Sequence, residues 1–313
     1  MDTGSPRADQ SEKAAESPGK PRRKDSRMWF RFKWIVRALF VAFIIWGLMT
    51  GLDSFFYHPT RRVWATPDEL QLACEEVQFK TRDGVTLHGW WAPAVGRPRG
   101  TIIHYHGNAE NLTNHIAFSV WMPGAGYNLL IFDYRGYGKS QGSPTRAGTI
   151  SDGHAALDFV LQRPEVDRSR VFLYGHSLGG AIATVVAAER PEPAALILDS
   201  TFSSYRRIAA RHAQQLFGAQ WIAANLSHLL VSRGFDPIDY IARVAPRPVM
   251  VITSGSDRIC FPELGRELFD GAKEPKVYWE APSVNHGEAV IDLPDETMRR
   301  INSFLDLVGG ASR

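Results

Sequence analysis

Val171-Phe172-Leu173-Tyr174-Gly175-His176-Ser177-Leu178-Gly179-Gly180-Ala181-Ile182-Ala183-Thr184-Val185-Val186-Ala187-Ala188 joins a β-rich apolar run to a helix-forming run through Gly-His-Ser-Leu-Gly. This is a G-x-S-x-G sequence in the setting the motif requires: strand, sharp turn, helix. The backbone at such a serine is strained, so its neighbours must be small, and the hydroxyl then stands exposed above a sheet edge. Five residues alone match by chance. Motif and flanking elements together assign Ser177 as a candidate nucleophile.

A serine hydroxyl is a weak nucleophile until a histidine takes its proton, and that histidine needs a carboxylate to orient it. Enzymes built on this turn carry the three in the chain order serine, acid, histidine. Asp257 follows the apolar run 249–253, at the C-terminal edge where open α/β sheets carry their sites. His286 follows the next run, in Asn285-His286-Gly287; of ten histidines it alone sits in the loop after the last expected strand. Asp199 is the rival acid, ending the run 196–198, but it reads more simply as a structural carboxylate at the Ser200-Thr201 turn. Acyl transfer also builds charge on a carbonyl oxygen, which two backbone N–H groups can stabilise. The expected donors are Leu178, directly after the serine, and Asn108, in the glycine turn after the run 101–105.

Outward from this centre the chain alternates β-rich and helical stretches, which predicts a mostly parallel sheet covered on both faces. Strands are expected at 76–79, 86–90, 101–105, 128–132, 171–174, 196–198, 249–253 and 277–280, with Asp83-Gly84 turning the first two into an antiparallel pair. Helices are expected at 111–120, 148–161, 178–189, 264–271 and 295–307. Residues 203–244 break the rhythm with a helical insertion, read as a small lid in which Leu216, Phe217, Trp221 and Leu226 could wall an acyl trough. Helical periodicity alone accounts for much of that apolar stripe as core.

Several function classes drop out. The net charge is +3 and the basic residues gather before residue 40, so the domain offers no polyanion surface and nucleic-acid binding is not expected. Two cysteines, Cys74 and Cys260, make neither a disulfide framework nor a zinc motif. His104 and His106 share a strand face but lack a third ligand, so no metal is expected. Gly138-Lys139-Ser140 ends like a phosphate loop, but Asp133 stands where its first glycine belongs. The loop Asp133-Tyr134-Arg135-Gly136-Tyr137-Gly138 reads instead as a brace for the site, with Arg135 holding a carboxylate.

The N-terminal part has a different composition. Residues 1–33 form a polar, basic tail expected to be disordered. Residues 34–52 are apolar apart from Arg37 and long enough to cross a bilayer, with Trp34 and Trp46 suited to its interfaces. A cleaved signal peptide is the competing reading, but no small-x-small site follows the stretch. The positive flank predicts a single-pass anchor with a cytoplasmic N-terminus and the catalytic domain on the other side. Residues 53–73 are then a linker, and 74–308 the catalytic domain.

His106-Gly107-Asn108-Ala109-Glu110-Asn111, the Asp133 to Gly138 loop, Gly175-His176-Ser177-Leu178-Gly179, Asp257 and His286 occur in the order of the α/β-hydrolase superfamily, which the chain resembles from about Val77 onward. The His-Gly-Asn segment and the Asp-Tyr-Arg-Gly-Tyr-Gly loop look most like the membrane-anchored branch of bud-emergence-type hydrolases, lysophospholipid and monoacylglycerol lipases and protein depalmitoylases. The resemblance implies an α/β-hydrolase fold, hydrolysis of acyl esters or thioesters, and no cofactor. Serine at position 177 argues against a dehalogenase. A peptidase or amidase is the second reading, and a non-catalytic membrane scaffold the third.

Overall fold

The computed structural model describes residues 31–38 and 56–310, together with Met1 and Ala42. It divides into two units, Met1–Ile45 and Trp46–Arg313. In the first, residues 31–38 are helical. Of the tail and span expected at 1–33 and 34–52, only Met1, residues 31–38 and Ala42 are among the described residues, and the rest of both lies outside them; among those described, no helix is long and apolar enough to cross a membrane.

The second unit is built on eight strands: β1 Glu75–Lys80, β2 Thr86–Ala92, β3 Gly100–Tyr105, β4 Tyr127–Phe132, β5 Val171–His176, β6 Ala195–Asp199, β7 Val249–Ser254 and β8 Lys276–Ala281. Each corresponds to one expected run, extended by one or two residues at its ends. The order across the sheet is β1-β2-β4-β3-β5-β6-β7-β8. β2 runs antiparallel to β1 and β4, and the remaining pairs are parallel. The β1–β2 turn forms at Asp83-Gly84, where Gly84 has φ 84° and its N–H donates to Thr81 O at 2.9 Å.

The longer helices are α1 Arg146–Gln162, α2 Leu178–Glu189, α3 Tyr205–Phe217, α4 Gln220–Leu230, α5 Pro262–Gly271 and α6 Pro294–Gly310. Strands β3 to β7 are buried along their whole length, so both faces of the sheet must be covered. Side chains alternate between the two faces. Ile103, Leu173, Leu196 and Val251 pack with α1, α2 and α5; Ile102, Phe172, Ile197 and Met250 pack with the turn at 112–118 and with α6. Parallel strands feeding crossovers on both faces bring the C-terminal ends of β3, β5, β7 and β8 to one edge.

Two features differ from expectation. Residues 56–73 are no free linker: Tyr57 is buried in the first core, and His58–Pro59 pairs in parallel with Ala109–Glu110. The reason is local chemistry, since an aromatic pair and an extended proline step suit a packed strap. In the insertion, α3 ends at Gly218 in the left-handed region (φ 70°), and the reversal carries Leu216 and Trp221 outward to 80% and 71% exposure. Those two wall no trough. The side chains of Phe217 and Leu226 lie outside what is described.

Arg135 ties the edges together. Its Nη1 and Nη2 donate to Asp83 at 2.8 and 3.1 Å, while Nε donates to Asp152 of α1 at 2.9 Å. Burial pushes the Asp152 carboxyl up to about 6 against the pull of Arg135. Arg135→Ala leaves a buried carboxylate without its cation and should lower unfolding stability by ~3–5 kcal/mol in a urea titration. Arg135→Lys should recover less than half of that loss, because an ammonium cannot span both carboxylates.

Candidate active site

Ser177 sits in the turn from β5 to α2 with φ 54° and ψ −121°, a conformation that non-glycine residues rarely adopt. The turn is possible because nothing intrudes on it. A Cβ on Gly179 would lie 1.9 Å from Tyr105 O, and one on Gly175 would lie 2.6 Å from the Gly180 Cα. The Ser177 N–H donates to Asp199 O at 2.9 Å, and Thr201 Oγ1 donates to Ser177 O at 2.7 Å. The hydroxyl is thereby held at the C-terminal edge of the sheet.

His286 comes from the loop after β8, with Nε2 3.0 Å from Ser177 Oγ. Its Nδ1 is 2.7 Å from Asp257 Oδ2. The other Asp257 oxygen accepts from the N–H groups of Ile259 and Cys260, both at 2.8 Å, which fixes the carboxylate plane. A carboxylate that only accepts keeps the imidazole proton on Nδ1 and leaves the Nε2 lone pair facing the hydroxyl. The three residues expected from sequence thus form one hydrogen-bonded chain able to remove a proton from Ser177.

Asp199 is not part of it. Tyr174 OH donates to Asp199 Oδ2 at 2.7 Å and Ser200 Oγ to Oδ1 at 2.9 Å. Ser200 Oγ in turn accepts from the Gly287 N–H at 3.2 Å, so Asp199 braces the histidine loop from below. Complete burial raises its carboxyl to about 6.

Leu178 opens α2, and its N–H lies at the positive end of that helix. Among the described residues, neither its amide nor that of Asn108 donates to another protein group. Both residues line a cavity of about 440 Å3 that opens at Ser177. Its walls include Phe56, Phe202, Ile208, Ala209, Val231 and Ile259, with His58 and His212 as polar members. The apolar part of an acyl substrate can be desolvated there while its carbonyl meets the serine.

Behind the site lies a layer of buried imidazoles. His176 stacks on Phe118 at 4.3 Å and stands 5.2 Å from the His286 ring. A Cβ on Gly287 would lie 2.2 Å from His176 Nε2, so the histidine loop rides directly on this ring. Burial drives His176 and His104 well below the ordinary histidine range, and His115 down to about 3. His104 meets Ser119 Oγ at 2.8 Å, and His106 Nε2 lies 3.5 Å from Asp133. His104, His115 and His176 pack as neutral filler.

Three contributors escaped the sequence reading. Phe56 and His58 come from the expected linker, where nothing in the pattern marks them as wall residues. Cys260 stands with Sγ 3.7 Å from Ser177 Oγ, its thiol pushed up by burial. Its position three residues after Asp257 was a usable signal, because the turn that presents the acid must present its neighbours too.

The sequence profile of the Hydrolase_4 family, described as serine aminopeptidase S33, matches residues 96–245. The chain is 34% identical over 265 residues to the uncharacterized protein YfhR of Escherichia coli O157:H7, covering 83% of this chain and 88% of that one. It is 30% identical over 258 residues to protein bem46 of Schizosaccharomyces pombe, covering 80% and 83%. Among solved structures, the Pyrococcus furiosus esterase PF2001 superposes with a TM-score of 0.67 at 24% identity, over 80% of this chain and 97% of that one.

Asp199→Asn removes a carboxyl whose folded-state value stands above its unfolded 3.8. The folded wild type holds that proton to higher pH than the unfolded chain, so the group disfavours folding increasingly as pH rises from about 4 to about 6. The stability difference between the two proteins should therefore move toward the variant across that window, by up to ~3 kcal/mol. Denaturation midpoints measured at several pH values check this, and a pH-independent difference would refute it.

Proposed function

The chain belongs to the α/β-hydrolase superfamily, and we propose that it is a serine hydrolase cleaving carboxylic esters or thioesters of short or medium acyl groups and monoacyl lipids through an acyl-enzyme. In this reading Ser177 attacks the carbonyl, and His286 takes the hydroxyl proton and returns it to the leaving group. Asp257 orients the imidazole. The amides of Leu178 and Asn108 stabilise the oxyanion. Water then repeats the sequence and releases the acid.

The observation that carries this reading is the chain Ser177 Oγ, His286 Nε2 at 3.0 Å, His286 Nδ1 and Asp257 Oδ2 at 2.7 Å, opening into a largely apolar cavity. The aminopeptidase description of the matched family favours a second reading. An aminopeptidase must hold the charged amino terminus of its substrate, and an ammonium buried without a partner is costly. Among the described residues that line the cavity there is no carboxylate. Esters are therefore the better-supported substrates.

The stretch 34–52 is read as a membrane anchor that leaves the basic tail cytoplasmic and the hydrolase domain on the opposite side. Proteolysis of sealed, right-side-out membranes should then release the domain while sparing the tail. Cleavage of the domain only after the cytoplasmic side is opened would reverse this topology.

Ser177→Ala should abolish fluorophosphonate labelling and ester turnover while leaving the melting temperature within a few degrees. Asp257→Asn should lower kcat by orders of magnitude. A matched panel of acyl esters, thioesters and aminoacyl amides should give its highest kcat/KM for an ester or thioester. A higher value for any aminoacyl amide would establish the peptidase reading instead.

A further inference from the structure

The loop that carries Asn108 is strained and is held from outside. Glu110 has φ 68°, in the left-handed region where a residue with a Cβ is disfavoured. On the inner side His115 Nε2 meets Ala109 O at 2.7 Å, and the Leu112 N–H donates to Asp133 at 2.8 Å. On the outer side the partners come chiefly from the strap at residues 56–64. The His58 N–H donates to Asn108 Oδ1 at 2.9 Å, beside Tyr137 OH at 3.1 Å. The Thr60 N–H donates to Glu110 O at 3.3 Å, closing a two-residue parallel pairing of His58–Pro59 with Ala109–Glu110. Asn111 Nδ2 donates to Thr60 O at 3.1 Å and to Arg62 O at 2.7 Å. Trp64 adds its N–H to Thr113 Oγ1 at 3.0 Å and its ring N–H to Glu110 at 2.7 Å.

The other end of the strap enters the cavity wall. Phe56 packs edge-on against Tyr205 of α3 at 5.1 Å, and the Arg146 guanidinium lies over both rings. Arg146 in turn donates to the carbonyls of Ser232 and Gly234, both at 3.1 Å, joining the strap to the far end of the insertion. One short segment therefore touches the lid, the cavity and the loop of the second oxyanion donor.

Resting on the hydrolase reading above, we propose that residues 56–64 are a positioning element of the reaction, holding the Asn108 amide where the developing oxyanion needs it. A donor displaced by about 1 Å loses most of its worth to the transition state while costing the ground state little. Loosening the strap's hold on that loop therefore lowers kcat and leaves substrate affinity nearly untouched, whereas Phe56 and His58 also line the cavity.

The test uses two variants of the full chain. Asn111→Asp keeps the oxygen that caps the Thr113 N–H and replaces both donations to the strap by repulsion between oxygens. Thr60→Pro deletes the N–H that reaches Glu110 O and leaves both the loop sequence and the cavity lining unchanged. Each should lower kcat for a short acyl ester by ~10-fold or more with KM changed less than ~3-fold, a part of the ~100-fold or greater loss expected when an oxyanion donor is removed outright. Affinity for a boronic acid, which binds serine as a tetrahedral anion, should fall in parallel with kcat. A merely structural strap would lower the melting temperature and leave the boronate affinity of the folded fraction intact. Wild-type turnover with both variants at wild-type kcat and boronate affinity overturns the positioning role alone. A wild-type chain that turns over no ester overturns the hydrolase reading beneath it.

Discussion

Backbone against backbone, with no space for a Cβ, is the contact on which this molecule turns. At Gly179 the chain passes so near Tyr105 O that a methyl group would overlap the oxygen, and Gly175 is closed in the same way by Gly180. That approach locks the end of β5 to the end of β3, forces Ser177 into its strained conformation and starts α2 directly beneath it. The strain is tolerable because the flanking elements are long and fully buried. A strand and a helix packed in one core over-determine the few residues between them. The positions of His286, Asp257 and Asn108 are useful only relative to a hydroxyl that cannot wander.

How far the sequence disclosed this depended on periodicity. The run Val171 to Tyr174 and the alanine-rich helix after Gly179 could be read at once, since buried parallel strands are continuous apolar runs and helices need small or unbranched residues to pack on them. Asp257 and His286 were legible by chain order, because parallel strands deliver their following loops to one edge. The strap at residues 56–64 was not. It has no periodic pattern, and it is held chiefly by side chains of Asn108, Glu110, Asn111 and Thr113, which lie some fifty residues further along the chain. The outward turn of Leu216 and Trp221 was equally invisible, because a left-handed Gly218 decides it and helical spacing cannot reveal where a helix reverses. Cys260 joined the site through proximity to its neighbour in sequence, which pattern reading does not weigh.

Charge in the interior follows a consistent rule. Arg135 and Asp152 are buried together with Asp83 at the rim, so the cation meets two carboxylates and the cost of desolvation is offset by several charge-assisted bonds. Asp199 is buried with hydroxyl donors alone, and burial raises both its carboxyl and that of Asp152 to about 6. The same interior thus holds one acid by an ion pair and another by neutral donors. The acid nearest the imidazole of His286 has its outer oxygen occupied by two backbone amides, leaving a single oxygen for the ring.

The imidazole layer behind the site has a physiological corollary. His104, His115 and His176 are neutral when folded, because burial opposes their protonation, whereas in an unfolded chain each would take up a proton below about pH 6.5. For these three groups acid therefore favours the unfolded chain, opposite in sign to the contributions of Asp152 and Asp199. Below about pH 6.5 the packing behind the site therefore works against an uptake of protons that the unfolded chain accepts freely.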